Sequence, residues 1–173
     1  MRLHRHAIAA LGFALVAGSA LPAAAQNPDL TGTFALVEAE SDDVKAAIEQ
    51  AVRGMNFITR PIARGRLTRT NVPYRTIRIE QSGDQVTIVT DERPIVATAD
   101  GNPMKWTRED GEVLDLTTRW ADGALEQTFV ADDGQRTNTF TLSADGGTLE
   151  MRVVVASPRL DRPVEYTLRY RRQ

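Results

Sequence analysis

The sequence predicts one mainly β domain: a single up-and-down antiparallel β-barrel of about 8–10 strands, with one or two helices inserted after the first strand. Three observations predict it. Asp-Gly pairs recur at 100–101, 110–111, 122–123, 133–134 and 145–146, a spacing of 10 to 12 residues. Glycine supplies positive φ in a tight turn at no steric cost, and aspartate tolerates the same region. The runs between these pairs alternate apolar and polar residues, as half-buried strands do. The period changes to that of a helix early in the chain, between Ser41 and Gly54.

The first residues are not part of that domain. Arg2, His4, Arg5 and His6 form a basic head, Ala7–Leu21 is apolar, and Ala23-Ala24-Ala25 offers a small-residue cleavage site. This is the pattern of a secretory signal peptide, cleaved near Ala25. The apolar run is shorter than the roughly 20 residues a spanning helix needs, so no membrane span is expected after cleavage. The domain is then 26–173, and its expected location is the periplasm or the medium. No cysteine follows the apolar run to carry a lipid anchor.

Cleavage removes both histidines, and the chain has no cysteine. Thiol nucleophiles, Ser-His dyads and His or thiolate metal sites are thereby excluded from the mature chain. No cofactor is expected. Losing Arg2 and Arg5 from 21 basic residues, against 23 acidic ones, leaves a net charge of −4. Nucleic acid is not an expected partner for such a balance.

Leu30–Glu38 reads as the first strand. Val44, Ala47, Ile48, Ala51 and Val52 then recur in steps of three and four on an amphipathic helix. Ser41 is the expected N-cap, Asp42 and Asp43 suit the positive end of the helix dipole, and Gly54 suits its stop. Pro61 is placed as the first residue of a second short helix. That segment carries Arg60, Arg64, Arg66 and Arg69 and is the most basic of the chain. Its arginines read either as a solvated face or as a positive rim beside a ligand entrance.

The remaining strands are expected at Arg75–Gln81, Gln85–Thr90, Pro94–Ala99, Met104–Arg108, Glu112–Trp120, Leu125–Val130, Arg136–Leu142, Thr148–Ala156 and Val164–Arg171. Alternation places Ile77, Ile79, Leu114, Leu116, Trp120, Leu125, Phe129, Phe140, Leu142, Leu149, Met151, Val153, Val155, Val164, Tyr166, Leu168 and Tyr170 inward. It places Arg78, Glu80, Asp115, Arg119, Glu126, Glu150, Arg152, Glu165, Arg169 and Arg171 outward. A charged outer face argues against an outer-membrane barrel, whose outside is apolar. Closing the meander on itself removes aggregation-prone edges.

One strand, a helical excursion and a long antiparallel meander resembles the calycin superfamily. The ten runs with helices after the first are most similar to intracellular fatty-acid-binding proteins. Gly32-Thr33-Phe34 resembles the lipocalin Gly-x-Trp signature, with phenylalanine in place of tryptophan. The resemblance implies an arginine of the last strand packed over Phe34, with Arg169 or Arg171 as the nearest match. It also implies a ligand carboxylate held by an Arg-x-Tyr pair. Leu168 stands two places before Tyr170, so that pair is absent.

Several polar residues share the inward phase: Thr118, Gln127, Arg136 and Asn138, with Arg108 in phase with Met104 and Trp106. Buried polar groups left dry cost about 1–3 kcal/mol, so these either bond one another, buried water or strand ends, or orient a ligand. Arg108 or Arg136 could receive a carboxylate in forked geometry. Tyr166 and Tyr170 lie on the same phase, as core aromatics or as part of such a cavity. The strand carboxylates Asp115, Glu126, Glu150 and Glu165 point outward, and no nucleophile–base pair is legible, so the reading leans against an enzyme. The Asp-Gly turns contain no Asp-x-Asp-x-Asp-Gly loop for calcium, and no metal is expected.

The expected function is that of an exported, lipocalin-like protein binding a small apolar, amphipathic or carboxylate-bearing molecule in its barrel. The alternative is a protein-interaction module with a filled core, similar to small barrel inhibitors of bacterial secreted proteases.

Overall fold

The structure, a computed structural model, describes residues 27–91 and 93–173; the predicted leader lies outside the described residues. Strand β1 (Gly32–Leu36) leads through a 3-10 turn (Glu38–Glu40) into helices α1 (Val44–Val52) and α2 (Thr59–Thr70). The meander follows: β2 (Thr76–Ser82), β3 (Gln85–Thr90), β4 (Arg93–Thr98), β5 (Asp100–Thr107), β6 (Val113–Ala121), β7 (Ala124–Ala131), β8 (Gly134–Leu142), β9 (Thr148–Ala156) and β10 (Val164–Arg172). All ten strands are antiparallel neighbours in one sheet, in the order β4-β3-β2-β1-β10-β9-β8-β7-β6-β5. The sheet curls into a nearly closed barrel, as the alternation predicts.

The inward phase is the core. Phe34, Ile77, Ile79, Phe140, Leu149, Met151, Leu168 and Tyr170 are buried together under α1 and α2. A smaller cluster of Ile95, Ala97, Leu114, Leu116 and Phe129 lies on the β4–β7 side. The outward phase carries cross-strand ion pairs in register, among them Arg119–Glu126 and Arg169–Glu150. Such pairs steady a sheet face modestly.

The helices differ from the expectation at their starts. The N-cap of α1 is Asp43, whose carboxylate accepts from the Lys45 and Ala46 N–H groups. Ser41 is two residues too early and works elsewhere. Its Oγ accepts the Arg169 N–H at 2.9 Å and donates to the Val37 carbonyl. Helix α2 begins at Thr59 rather than at Pro61, because Asn56 Oδ1 accepts from both Ile58 N and Thr59 N and starts the turn earlier. Pro61 still falls in the first turn, where its missing N–H has no intrahelical partner to lose. Among the described residues, no helix is long and apolar enough to cross a membrane.

Two joints decide the barrel's shape. At the first, β1 pairs with β10 in the register Phe34↔Arg172, Ala35↔Arg171, Leu36↔Tyr170. The Arg172 guanidinium stacks 4.6 Å from the centroid of the Phe34 ring and donates to the Thr31 and Gly146 carbonyls. The arginine over Phe34 is therefore Arg172, not Arg169 or Arg171. Those two face outward and pair with Glu150 and Glu40. Arg172 shares the inward phase of Leu168 and Tyr170, and a Cβ at Gly32 would overlap its Nη1.

At the second joint, β4 and β5 meet through Ala99 alone and do not pair with each other. The Asp100-Gly101 pair is not the hairpin turn that its sequence predicts. It opens β5 with a bulge, where the register against β6 shifts between Asp100 and Pro103 and Gly101 takes φ +81°. Ala99 N donates to the Asp84 carbonyl at 2.7 Å, which pins the corner to the β2–β3 turn. Pro94 and Pro103 bring no N–H to the facing edges.

Candidate functional site

Thr118, Gln127 and Asn138 are direct cross-strand partners on β6, β7 and β8, and each is at least 95% buried. They form one polar rung across the inner wall. Through Val153 the rung continues to Tyr166 on β10. Arg136 belongs to the next rung, opposite Phe129 and Val155.

Arg136 ties this wall to the end of α2. Its Nε donates to Asn138 Oδ1 at 2.8 Å, and its Nη1 donates to the Thr70 carbonyl at 3.0 Å and Asn71 Oδ1 at 3.2 Å. Asn71, buried at the C-cap of α2, also accepts the Tyr166 hydroxyl at 3.0 Å and donates to the Leu67 carbonyl. The last carbonyls of a helix lack intrahelical partners, and this network supplies them. Among the described residues, Arg136 has no carboxylate within ion-pair distance, and its Nη2 makes no hydrogen bond. A guanidinium with one free end, set among buried amides, is suited to an anion.

Arg108 is placed differently. It lies beyond the end of β5, in the turn to β6, rather than inside the strand expected at Met104–Arg108. Its guanidinium is engaged by Asp110 (2.6 and 3.0 Å) and by Glu112 (2.5 Å). Those partners hold its pKa above the ordinary arginine value, the Asp110 hydrogen bond first, and they leave no fork for a ligand. Trp106 lies half-buried against Phe129, ring centroids 5.2 Å apart in an edge-on contact. Arg136, Asn138 and Tyr166 are thus brought into one network, with Gln127 and Thr118 along the same rung. Arg108 stands apart.

Among the described residues, two buried hydroxyls have no hydrogen-bond partner: Tyr170 OH and Thr118 Oγ1. Tyr170 is packed in the main core, where burial, with Tyr74 and Tyr166 nearby, pushes its phenol pKa well up. Burial also raises Tyr166. Thr118 is at the edge of a small opening, with its Oγ1 sealed from it. Where β4 and β5 part there is a cavity of about 130 Å³, lined by Ala97 and Thr98 of β4, Asp100, Asn102, Pro103 and Met104 of β5, and Leu116 and Thr118 of β6. A larger groove, about 430 Å³, runs outside the barrel between α1 and the start of β10, with Asp42, Gln50, Arg162 and Glu165 on its walls.

Asn71 is the member of the network that sequence reasoning did not single out. Its signal was available: an amide residue directly after a helical run is a common C-cap. Nothing in the spacing indicated that it would meet Arg136, 65 residues away.

No family model matches the chain, and no curated protein matches it. Solved structures do. A SAHS (secretary abundant heat soluble) protein from Ramazzottius varieornatus superimposes with a TM-score of 0.58 at 10% identity, over 83% of this chain and 94% of that one. A REP1-NXSQ fatty acid transporter gives 0.54 at 19% identity, over 84% and 96%. A Schistosoma mansoni fatty acid binding protein in complex with arachidonic acid gives 0.51 at 20%, over 83% and 96%. Ten antiparallel strands, two helices between the first and second, and these likenesses over nearly the whole length of each neighbour make this a calycin-type barrel.

Proposed function

We propose that the protein is an exported carrier that holds a small amphipathic molecule in its barrel, with the molecule's carboxylate on Arg136. The observation that carries this reading is the free Nη2 of Arg136, an arginine of the inner wall with no acidic partner among the described residues. The calycin-type fold supports it, because neighbours of this fold include a fatty acid transporter and a fatty acid binding protein in complex with arachidonic acid. The basic head, apolar run and Ala23-Ala24-Ala25 support export. Drug-sized sites run to roughly 300–1,000 Å³, so a long tail has to displace side chains at the 130 Å³ opening.

Native and denaturing mass spectrometry of the exported protein, run side by side, test the reading. A molecule retained in the native spectrum and lost on denaturation is expected. A panel of carboxylates then follows by titration. Arg136→Met is expected to weaken carboxylate binding at least about tenfold, as loss of a charge-assisted bond does. Arg136→Lys, which keeps the charge, separates this from loosening of α2. Unaltered affinity in both variants would overturn the assignment.

A second reading has its own observation. The helical cap exposes Phe57, Ile58 and Ile62 (82%, 64% and 71%) beside an acid-free, arginine-bearing α2. That surface suits a protein partner of a barrel whose interior is filled. A clean apo mass, no uptake from the panel and capture of a defined partner would favour it.

A further inference from the structure

We infer that the outer face of α2 is a docking surface for an acidic amphipathic helix of another protein, which crosses α2 at Gly65. Ile58, Ile62, Gly65 and Arg69 follow one another in steps of four, three and four, so they form one stripe along the helix. Leu67 is buried in the core and Ala63 packs against it, and these two mark the opposite side of α2. The stripe therefore faces away from the barrel. Ile58, Ile62 and the adjoining Phe57 are all largely exposed.

Gly65 is an independent sign of the same contact. A glycine inside a helix destabilises it relative to alanine. Nothing among the described residues requires one here. Its φ is not positive, and a Cβ at this position would meet only Arg69 Nη1, at 3.9 Å, an ordinary contact. The missing side chain leaves a notch in the exposed stripe, between the two isoleucines and the arginine. Packed helices lie about 8–10 Å apart, at a distance set by the side chains where they cross, and a glycine there permits the closest approach.

Charge sets the sign of the partner. Helix α2 carries Arg60, Arg64, Arg66 and Arg69 and no acidic residue. Arg64 pairs with Glu49 and Arg66 with Asp133, whereas Arg69 has no carboxylate within ion-pair distance among the described residues. A glutamate one turn past the crossing would reach it. A second copy of this chain would set arginine against arginine. A bilayer is the poorer match as well. A helix lying in the interface is apolar along its whole face, whereas this one is apolar only as far as Ile62. The partner named here rests on the second reading above, a protein docked on the cap, but docking there does not require a filled barrel.

The test is an amide-resolved NMR titration of the whole folded protein with a synthetic acidic helix. It is about 18 residues long, because much shorter isolated helices hold poorly in water, with leucine and alanine on one face and glutamate along both flanks. A lysine-flanked version is the control. The acidic helix is expected to move the Phe57, Ile62, Gly65 and Arg69 amide signals saturably, and the lysine version to leave them in place. Gly65→Leu should weaken the acidic helix at least about tenfold, and Arg69→Gln about threefold. Gly65→Ala should raise the urea midpoint and yet weaken binding, so that the loss is not one of folding. No saturable binding of the acidic helix, equal binding of the lysine version, or a Gly65→Leu variant that binds as before would overturn the docking surface. So would vesicles of phosphatidylcholine and phosphatidylglycerol that move the same signals regardless of Gly65→Leu, which would make the surface a membrane contact. A dimer in sedimentation that Gly65→Leu dissolves would overturn it in favour of a second copy. The carrier reading is judged separately, on carboxylates and Arg136, and the filled barrel on the native mass. A protein that passes either of those and fails here loses only this inference.

Discussion

The two joints of the barrel invert what chain order would suggest. β1 and β10 stand at opposite ends of the domain and are bonded; β4 and β5 are separated by a single residue and are not. The ladder between β1 and β10 even outlasts β1. Past Leu36, Val37 N donates to the Arg169 carbonyl at 2.8 Å, and Asp42 N donates to the Thr167 carbonyl at 2.9 Å. The Ser41 hydroxyl and the Asp42 carboxylate accept from the Arg169 and Thr167 N–H groups. Side chains there replace a strand. At the β4–β5 opening the reverse holds: a pinned corner, a bulge and two prolines keep edges apart that chain connectivity brings together. The same polar chemistry seals one joint and blunts the other.

The contrast extends to the two unpartnered hydroxyls. Tyr170 sits at the sealed joint in packed surroundings, whereas Thr118 sits at the open one beside a cavity. Both are sealed from solvent, and each is a cost of packing.

The largest test of the contrast is a matched pair of truncations. Phe34→Ala removes the ring under Arg172 and should cost about 3–5 kcal/mol, whereas Ile95→Ala on the edge strand β4 should fall near 2 kcal/mol. Urea midpoints measure both, and equal losses would break the distinction between the joints. A smaller effect probes the side-chain extension of the ladder. Ser41→Ala should cost about 1 kcal/mol and speed hydrogen exchange at the Arg169 amide, with β4 amides unaffected.

The smallest effect at neutral pH is Tyr170→Phe, which removes an unpaired hydroxyl and should leave stability unchanged or raise it by up to about 1 kcal/mol. Its alkaline behaviour is more telling. The folded Tyr170 holds its proton above the unfolded value near 10, so its contribution is complete below about pH 10 and is lost as pH rises toward the folded value. Midpoints compared at pH 7 and pH 11 should fall less for Tyr170→Phe than for the parent chain. An identical fall would show that this phenol carries no part of the alkaline loss.

Most of the barrel was legible because alternation is local. The bounds Gln85–Thr90 and Thr148–Ala156 fall where the pattern placed them, and most inward residues from Ile77 to Tyr170 are buried, with Trp120, Leu142 and Val155 partly so. What escaped depends on meetings across the fold. Asp100-Gly101 has the composition of a hairpin turn, but whether the flanking strands pair depends on which edge each one finds. Arg172 keeps the inward phase, but the Phe34 ring it stacks on lies 138 residues away, beyond any local pattern. Asp43 displaced Ser41 because the β10 edge claimed the serine. In the candidate site, the polar residues Thr118, Gln127, Arg136 and Asn138 were visible by phase. The difference between Arg108 and Arg136 was not, because it lies in Asp110 and Glu112 occupying one guanidinium and helix α2 meeting the other.

The β1–β10 joint also sets the order in which the molecule can come together. Strand β10 is made after the other nine, and it carries Tyr166, Leu168, Tyr170 and the Arg172 that stacks on Phe34. Until it arrives, β1 has only β2 beside it, and the principal core is open along one side. Closure is a contact between residues more than 130 positions apart, the kind whose loop entropy makes folding slow. Without β10 the principal core lacks the strand that joins β1 to β9.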